Sequence, residues 1–237
     1  MLVQGTLQLP GDKSISHRAI MLSAIADGVS YVRNLNDGAD LQSTINILKD
    51  CGASIQQRGD EIVVNGKELH SPSNNLDCGN SGTTTRLVAG LLASQKLTFS
   101  LIGDESLSKR PMKRIIKPLT AMGCKISSND GLLPLSIDAT NGISAIDYDM
   151  NVASAQVKSS ILFSALGGNN VSSINEIIPT RNHSEIMLKN MGASIESEGS
   201  KIIVHPIKSK LKSIDIFVPS DPSSAAFFVA LAVINNN

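Results

Sequence analysis

At 237 residues, 41% of them hydrophobic, the chain has material for one large domain or two small ones. Its 21 basic and 21 acidic side chains leave no net charge to draw it to nucleic acid or an anionic membrane surface, and no apolar run reaches the length of a membrane span. The opening MLVQGTLQLPGDK lacks the apolar stretch of a secretory signal; three scattered cysteines (Cys51, Cys78, Cys124) without a CxxC pair, and His17, His70, His183 and His205 without ligand spacing, speak against a disulfide framework or a zinc site and for a reducing cytoplasm.

The first predicted element lies in LPGDKSISHRAIMLSAIADG, residues 9–28. Asp12, Lys13, Ser14, Ser16, His17 and Arg18 stand ahead of an apolar run, 19–26, with almost no charge on any face. A helix apolar all round is buried. Next, ILKDCGASIQQRGDEIVVNG (47–66) reads as a periodic helix stopped at Gly52, then strand, polar turn, strand. Both elements then return. NSGTTTRLVAGLLAS (80–94) is another polar-headed apolar helix, and PLTAMGCKISSNDGLLPLSI (118–137) another helix end with its hairpin. SAQVKSSILFSALGG (154–168) and MLKNMGASIESEGSKIIVHP (187–206) form the third pair. Gly52, Gly123 and Gly192 are 71 and 69 residues apart, and Arg18, Arg86 and Lys158 precede them by 34, 37 and 34 residues.

The repeat therefore reads helix, short strand, helix, strand, strand, which predicts an α/β fold. Its copies can pack about a pseudo-threefold axis with the most apolar helices inside. The core is aliphatic, since aromatics are 3% and Trp is absent. VPSDPSSAAFFVALAVINNN (218–237) opens a fourth polar-headed helix without the rest of its unit, so the sequence reads as part of a longer protein.

If the buried helices are parallel, their polar N-termini meet at one opening. Each brings unpaired N–H groups and the positive end of a helix dipole, which together favour anions. Lys13 and Arg18 add full charges there, and Ser14, Thr83, Thr84 and Ser154 add donors. Arg110, in GDESLSKRPMKRIIKPL, heads the second helix of the second unit, with Pro111 at its favoured place in the first turn, and faces the same opening. Such a cluster suits a small polyanion, a sugar phosphate or an enol phosphate. Blander readings stand beside these. Ser14 and Thr83 can equally be N-caps. Lys109, Lys113, Arg114 and Lys117 read as solvated charges, His17 as a hydrogen-bonded packing residue rather than a base, and Cys51 and Cys124 as small core residues. GDKS does not make a P-loop, because Asp12 stands where glycine is required.

LPGDKSISHRAIMLSAIADG, GNSGTTTRL, KRPMKRIIKPL, SAQVKSSILFSAL and TRNHSEIML together resemble the enolpyruvyl transferases and, within them, the 5-enolpyruvylshikimate 3-phosphate synthase family. The resemblance runs along essentially the whole chain. It implies an inside-out α/β barrel domain of βαβαββ repeats with buried parallel helices, one of the family's two domains. Residues 12–219 would form the complete domain, and 1–11 and 220–237 the edges of a second, largely absent one. It also implies transfer of the enolpyruvyl group of phosphoenolpyruvate to the 5-hydroxyl of shikimate 3-phosphate, with no metal or organic cofactor, in the cytoplasm, at the target of glyphosate. Lys13 matches the lysine that touches both substrates. Ser14, Arg18, Ser154, Ala155, Gln156 and Arg181 match ligands of shikimate 3-phosphate. Asn80, Gly82, Thr83, Arg110 and again Gln156 match those of phosphoenolpyruvate. The general-base aspartate and the remaining cations would come from the missing C-terminal half, so the chain alone is expected to be inactive. The alternative is a non-catalytic phosphate-binding domain that reuses the fold.

Overall fold

The computed structural model describes residues 5–234, so the outermost parts of the two expected edge segments, 1–4 and 235–237, lie outside the described residues. The first unit contains α1 (Lys13–Ala24), β1 (Ala26–Asp27), β2 (Val29–Arg33), α2 (Ala39–Asp50), β3 (Ser54–Arg58) and β4 (Glu61–Asn65). The second has β5 (Leu76–Asp77), α3 (Gly82–Ser94), β6 (Thr98–Ile102), α4 (Glu105–Ser108), α5 (Lys113–Ala121), β7 (Lys125–Asn129) and β8 (Leu132–Asp138). The third has β9 (Asp147–Met150), α6 (Ala155–Leu166), β10 (Ser172–Glu176), α7 (His183–Asn190), β11 (Ile195–Glu198) and β12 (Lys201–Val204). β13 (Leu211–Lys212), β14 (Asp215–Phe217) and α8 (Pro222–Ile234) follow.

Three four-stranded sheets carry the repeat: β14-β2-β4-β3, β5-β6-β8-β7 and β9-β10-β12-β11. In each, the first-named edge strand runs parallel to its neighbour. The remaining pairs are antiparallel, ending in the hairpin read from the sequence. The unit is thus strand, helix, strand, helix, hairpin, one strand longer than the sequence pattern showed. The first unit takes its leading strand from β14, beyond the third unit, where Ile216 pairs with Val32. This closes the three units on one another. A parallel contact of β1 with β13 reinforces the closure.

The helices α1, α3 and α6 form the interior: α1 is buried from Ser16 to Ala24, α3 over nearly its whole length, and α6 from Val157 to Leu166. One continuous apolar cluster joins them to the inner faces of the sheets. Small residues let the helices close in. A Cβ at Gly90 would come within 2.1 Å of the Ser160 carbonyl oxygen, and Ser164 Oγ donates to Gly90 O at 3.2 Å. The second helices end as expected, with Gly52, Gly123 and Gly192 at φ of +96°, +98° and +90°. Each following N–H reaches back to the last helical turn, as Ala53 N does to Leu48 O at 2.9 Å.

One local expectation is corrected. Pro111 is not in the first turn of the second helix of its unit. A separate short helix, α4, intervenes, Met112 is the N-cap of α5, and Arg110 and Pro111 form the link between them. Two backbone bonds hold that link: Arg110 N to Leu107 O at 2.9 Å, and Met112 N to Gly131 O at 2.8 Å. Among the described residues no helix is long and apolar enough to cross a membrane.

Candidate functional site

The polar heads of the interior helices are built by three caps. The Asp12 carboxylate accepts from Ile15 N at 2.8 Å, Ser81 Oγ from Thr84 N at 3.1 Å, and Ser154 Oγ from Val157 N at 3.3 Å. Ser14 and Thr83 are therefore not N-caps. Both instead line an open cavity of about 480 Å³ together with Arg18, Ser154, Ala155, Gln156 and Arg181. Thr180 and His183 line the same cavity.

Arg18 is only 3% exposed and is fixed from three sides. Its Nε donates to Ser184 Oγ at 2.7 Å, Nη1 to Ser14 O at 2.8 Å and Nη2 to Ser159 Oγ at 2.7 Å. Burial lowers its pKa to about 10, so it stays a cation at neutral pH, with Glu185 and Asp12 opposing the shift. Three of its five N–H donors are thus engaged among the described residues. His183 stands beside it with Nδ1 buried and without a partner among the described residues, and burial, then Arg18, pulls its pKa down.

Lys13 begins α1 and forms an ion pair with Asp40 while still 44% exposed. Behind it runs a buried chain of hydroxyls. His17 Nδ1 meets Thr44 Oγ1 at 2.8 Å, Thr44 meets Thr84 at 2.8 Å, and Thr84 donates to Ser81 Oγ at 2.7 Å. Burial, helped by Lys13, drops His17 to a pKa of about 3. It is a neutral packing residue, and the chain it starts ties α1, α2 and α3 together below the opening.

A second cluster of cations adjoins the cavity through Gln156 and Thr83. Gln156 Nε2 donates to Thr83 Oγ1 at 2.9 Å, and its Oε1 accepts from Arg86 Nη1 at 3.0 Å. Arg86 also reaches Gly82 O at 3.1 Å and Pro111 O at 3.3 Å. Arg110 donates to the Asn80 side chain, to Asn80 O at 3.3 Å and to Ser106 Oγ at 3.3 Å. Asp104 in turn accepts from Asn80 Nδ2 at 2.6 Å. A Cβ on Gly82 would lie 2.6 Å from Arg86 Nη1 and 3.7 Å from Arg110 Nη1, so the helix head abuts both guanidinium groups. The Arg86 pKa is lowered by burial and by the charges of Arg110 and Arg114. Like charges gathered at a helix N-terminus repel one another, and an anion relieves that repulsion.

Arg86 is the member that the sequence reading passed over as a mere repeat marker. The available signal was its alignment with Arg18 in the preceding unit. Of the expected residues, Lys13 is turned to the Asp40 carboxylate and Asn80 to that of Asp104, and Asn80, Gly82 and Arg110 sit in the adjoining cluster rather than in the cavity lining. Lys109 and Lys113 pair with Glu105 and Asp130 on the surface, as solvated charges do. Cys51, Cys78 and Cys124 are free and buried, and burial raises their thiols to about 12, 12 and 11.

Helices inside, sheets outside and cations massed over the helix heads define an inside-out α/β domain with a cation-lined mouth. The chain belongs to the EPSP synthase (3-phosphoshikimate 1-carboxyvinyltransferase) family, whose model matches residues 2–237. It is 47% identical over 235 residues to the 3-phosphoshikimate 1-carboxyvinyltransferase of Ruthia magnifica subsp. Calyptogena magnifica, covering 98% of this chain and 54% of that protein. It is 44% identical over 238 residues to the enzyme of the same name from Thermoanaerobacter sp. (strain X514), covering 99% and 56%. Among solved structures, EPSP synthase from Acinetobacter baumannii superposes with a TM-score of 0.89 at 43% identity, covering 94% of this chain and 52% of the other. The chain thus spans about half the length of the relatives it matches.

Proposed function

We propose that this chain supplies the N-terminal half of a 3-phosphoshikimate 1-carboxyvinyltransferase site. The observation that carries the reading is convergence: Ser14, Arg18, Ser154, Ala155, Gln156 and Arg181, far apart in sequence, line one cavity. These residues hold shikimate 3-phosphate. Asn80, Gly82, Thr83, Arg110 and Gln156 hold phosphoenolpyruvate, with Arg86 setting Gln156 between the two. Lys13 leaves Asp40 to meet both ligands.

In the reaction, the 5-hydroxyl gives its proton to the general base as its oxygen bonds to C2 of phosphoenolpyruvate and the methylene carbon gains a proton. Breaking of the C2–O bond to phosphate and loss of a methyl proton then restore the carbon–carbon double bond, giving the enol ether and free phosphate. The fixed cations offset the charge on both phosphates, and the cavity orients the hydroxyl. The general base and further cations come from a C-terminal half. Residues 12–219 act as the complete domain, and residues 1–11 and 220–237 belong to the second. Backbone pairing supports that division: Gly11 bridges Ser220, and Asp12 N donates to Pro219 O at 2.7 Å, so the two crossing segments run side by side. The setting is cytoplasmic, in keeping with free buried thiols. Glyphosate inhibits the complete enzyme, for which Gly82 leaves room.

Calorimetry of the chain with each substrate tests this. Shikimate 3-phosphate is expected to bind more tightly than phosphoenolpyruvate, because more of its ligands are present. Equal or reversed affinities, or no binding of shikimate 3-phosphate, overturn the reading.

A further inference from the structure

Lys158 occupies in the third unit the place that Arg18 and Arg86 hold in the first two, yet it does not line the cavity. Its side chain is 1% exposed. The ammonium meets Glu176 at 2.9 Å and Glu185 at 2.6 Å, carboxylates that are themselves 8% and 6% exposed. These two acids bracket one loop. Glu176 ends β10, Glu185 lies in the first turn of α7, and between them runs the stretch 177–182, exposed except for the half-buried Thr180, which carries Arg181 to the cavity lining. From inside the loop, Thr180 Oγ1 donates to Glu176 Oε1 at 2.6 Å. On the other side, Ser184 accepts from Arg18 at 2.7 Å, and the Arg18 charge also faces Glu185. Two cations therefore face two carboxylates across the base of the loop.

We infer that the buried Lys158–Glu176–Glu185 triad is a clamp that positions the 177–182 loop, and with it Arg181, for an anionic ligand. An ammonium taken fully out of water demands paired carboxylates, and their positions are then fixed to hydrogen-bond precision. Here the paired groups are the two anchors of an otherwise irregular, solvent-exposed loop. A long cationic side chain presented to solvent loses entropy when it binds, and fixing the backbone that bears it removes part of that loss in advance. Lys158 is thus a positioning residue that never touches ligand. This rests on the reading of Arg181 as a ligand of shikimate 3-phosphate.

Lys158→Met alone would strand two buried carboxylates and could prevent folding. The test variant is therefore Lys158→Met with Glu176→Gln and Glu185→Gln, which removes all three charges at nearly constant volume. Hydrogen exchange of the ligand-free chain is read residue by residue. The expected result is at least tenfold faster exchange of the loop amides, with α6 and β12 unchanged, and at least tenfold weaker binding of shikimate 3-phosphate. Thr180→Val is expected to speed loop exchange in part, and Thr180→Ser to restore it, because the hydroxyl is retained. Loop exchange within twofold of wild type in the triple variant overturns the clamp. So does equal acceleration throughout α6 and α7, which would make the triad a general structural element. If the wild-type chain binds no shikimate 3-phosphate, the proposed function falls, while the exchange comparison still decides the clamp.

Discussion

His17 shows how burial settles a role at the level of one side chain. A histidine beside Lys13 and Arg18 invites a catalytic reading, but with its ring enclosed and its pKa near 3 it carries no proton at neutral pH. The unfolded chain, with an ordinary histidine near 6.5, takes up that proton first as the medium acidifies. Stability from this group is therefore complete above pH about 6.5 and is lost as pH falls toward 3. Over the first 1.5 units the loss is about 2 kcal/mol. Urea unfolding at pH 7 and pH 5 checks this: His17→Asn is expected to flatten the difference, and an equal fall in both proteins would contradict it. Arg110 makes a second prediction. Its guanidinium is set by Asn80 and Ser106 toward the head of α3. In a completed enzyme, Arg110→Ala is expected to weaken phosphoenolpyruvate by about 1.5–3 kcal/mol, the worth of a charge-assisted pair, and shikimate 3-phosphate much less. A rise confined to the shikimate 3-phosphate Michaelis constant would assign Arg110 to the other ligand. Capping was the part of this site that residue types left open. Asp12 and Ser14 are both good caps two residues apart, as are Ser81 and Thr83, and only backbone geometry selects between them.

Among the elements, what was legible followed from local chemistry. Each capping glycine needs a left-handed backbone, and each hairpin alternates in polarity, so both leave a pattern along the chain. The leading strands did not. β5 has two residues, and β14 reaches the first sheet from the far end of the third unit. A strand recruited over that distance is chosen by a vacant sheet edge rather than by its own sequence. α4 escaped for a similar reason, being four residues long and closed by the cap of Asp104 on Leu107 N at 2.7 Å. The contact between α3 and α6 gives the sharpest test at this scale. Because a Cβ on Gly90 would stand 2.1 Å from a backbone oxygen, no rotamer change can relieve the clash. Gly90→Ala must spread the two helices, and a loss of about 1–3 kcal/mol is expected in denaturant unfolding. An unchanged midpoint would mean that the interior helices are free to shift.

For the molecule as a whole, the unresolved business lies in α8. It is apolar on every face, yet none of its residues is buried: Phe227 is 82% exposed, Val233 70% and Ile234 79%. The rest of the chain differs, with three four-stranded sheets around a continuous core, and a domain with its own core can fold alone. A helix of this composition is stable in water only when covered. On the proposed function its cover is the C-terminal half, which also brings the missing base and cations to the mouth. Two outcomes should then appear together. The chain alone is expected to self-associate with rising concentration in sedimentation, and Phe227→Asp with Val233→Asp to suppress this without altering the far-ultraviolet circular dichroism. Phosphate release from the two substrates is expected to be absent with the chain alone and to appear when a separately produced C-terminal half is added, because the reaction needs groups from both sides of a closed cleft. The same double substitution is expected to abolish that reconstitution, since it removes the surface on which the second half assembles. Turnover by the isolated chain would show that the cavity between α1, α3 and α6 is already a whole site, and reconstitution unaffected by the α8 substitutions would place the assembly surface elsewhere.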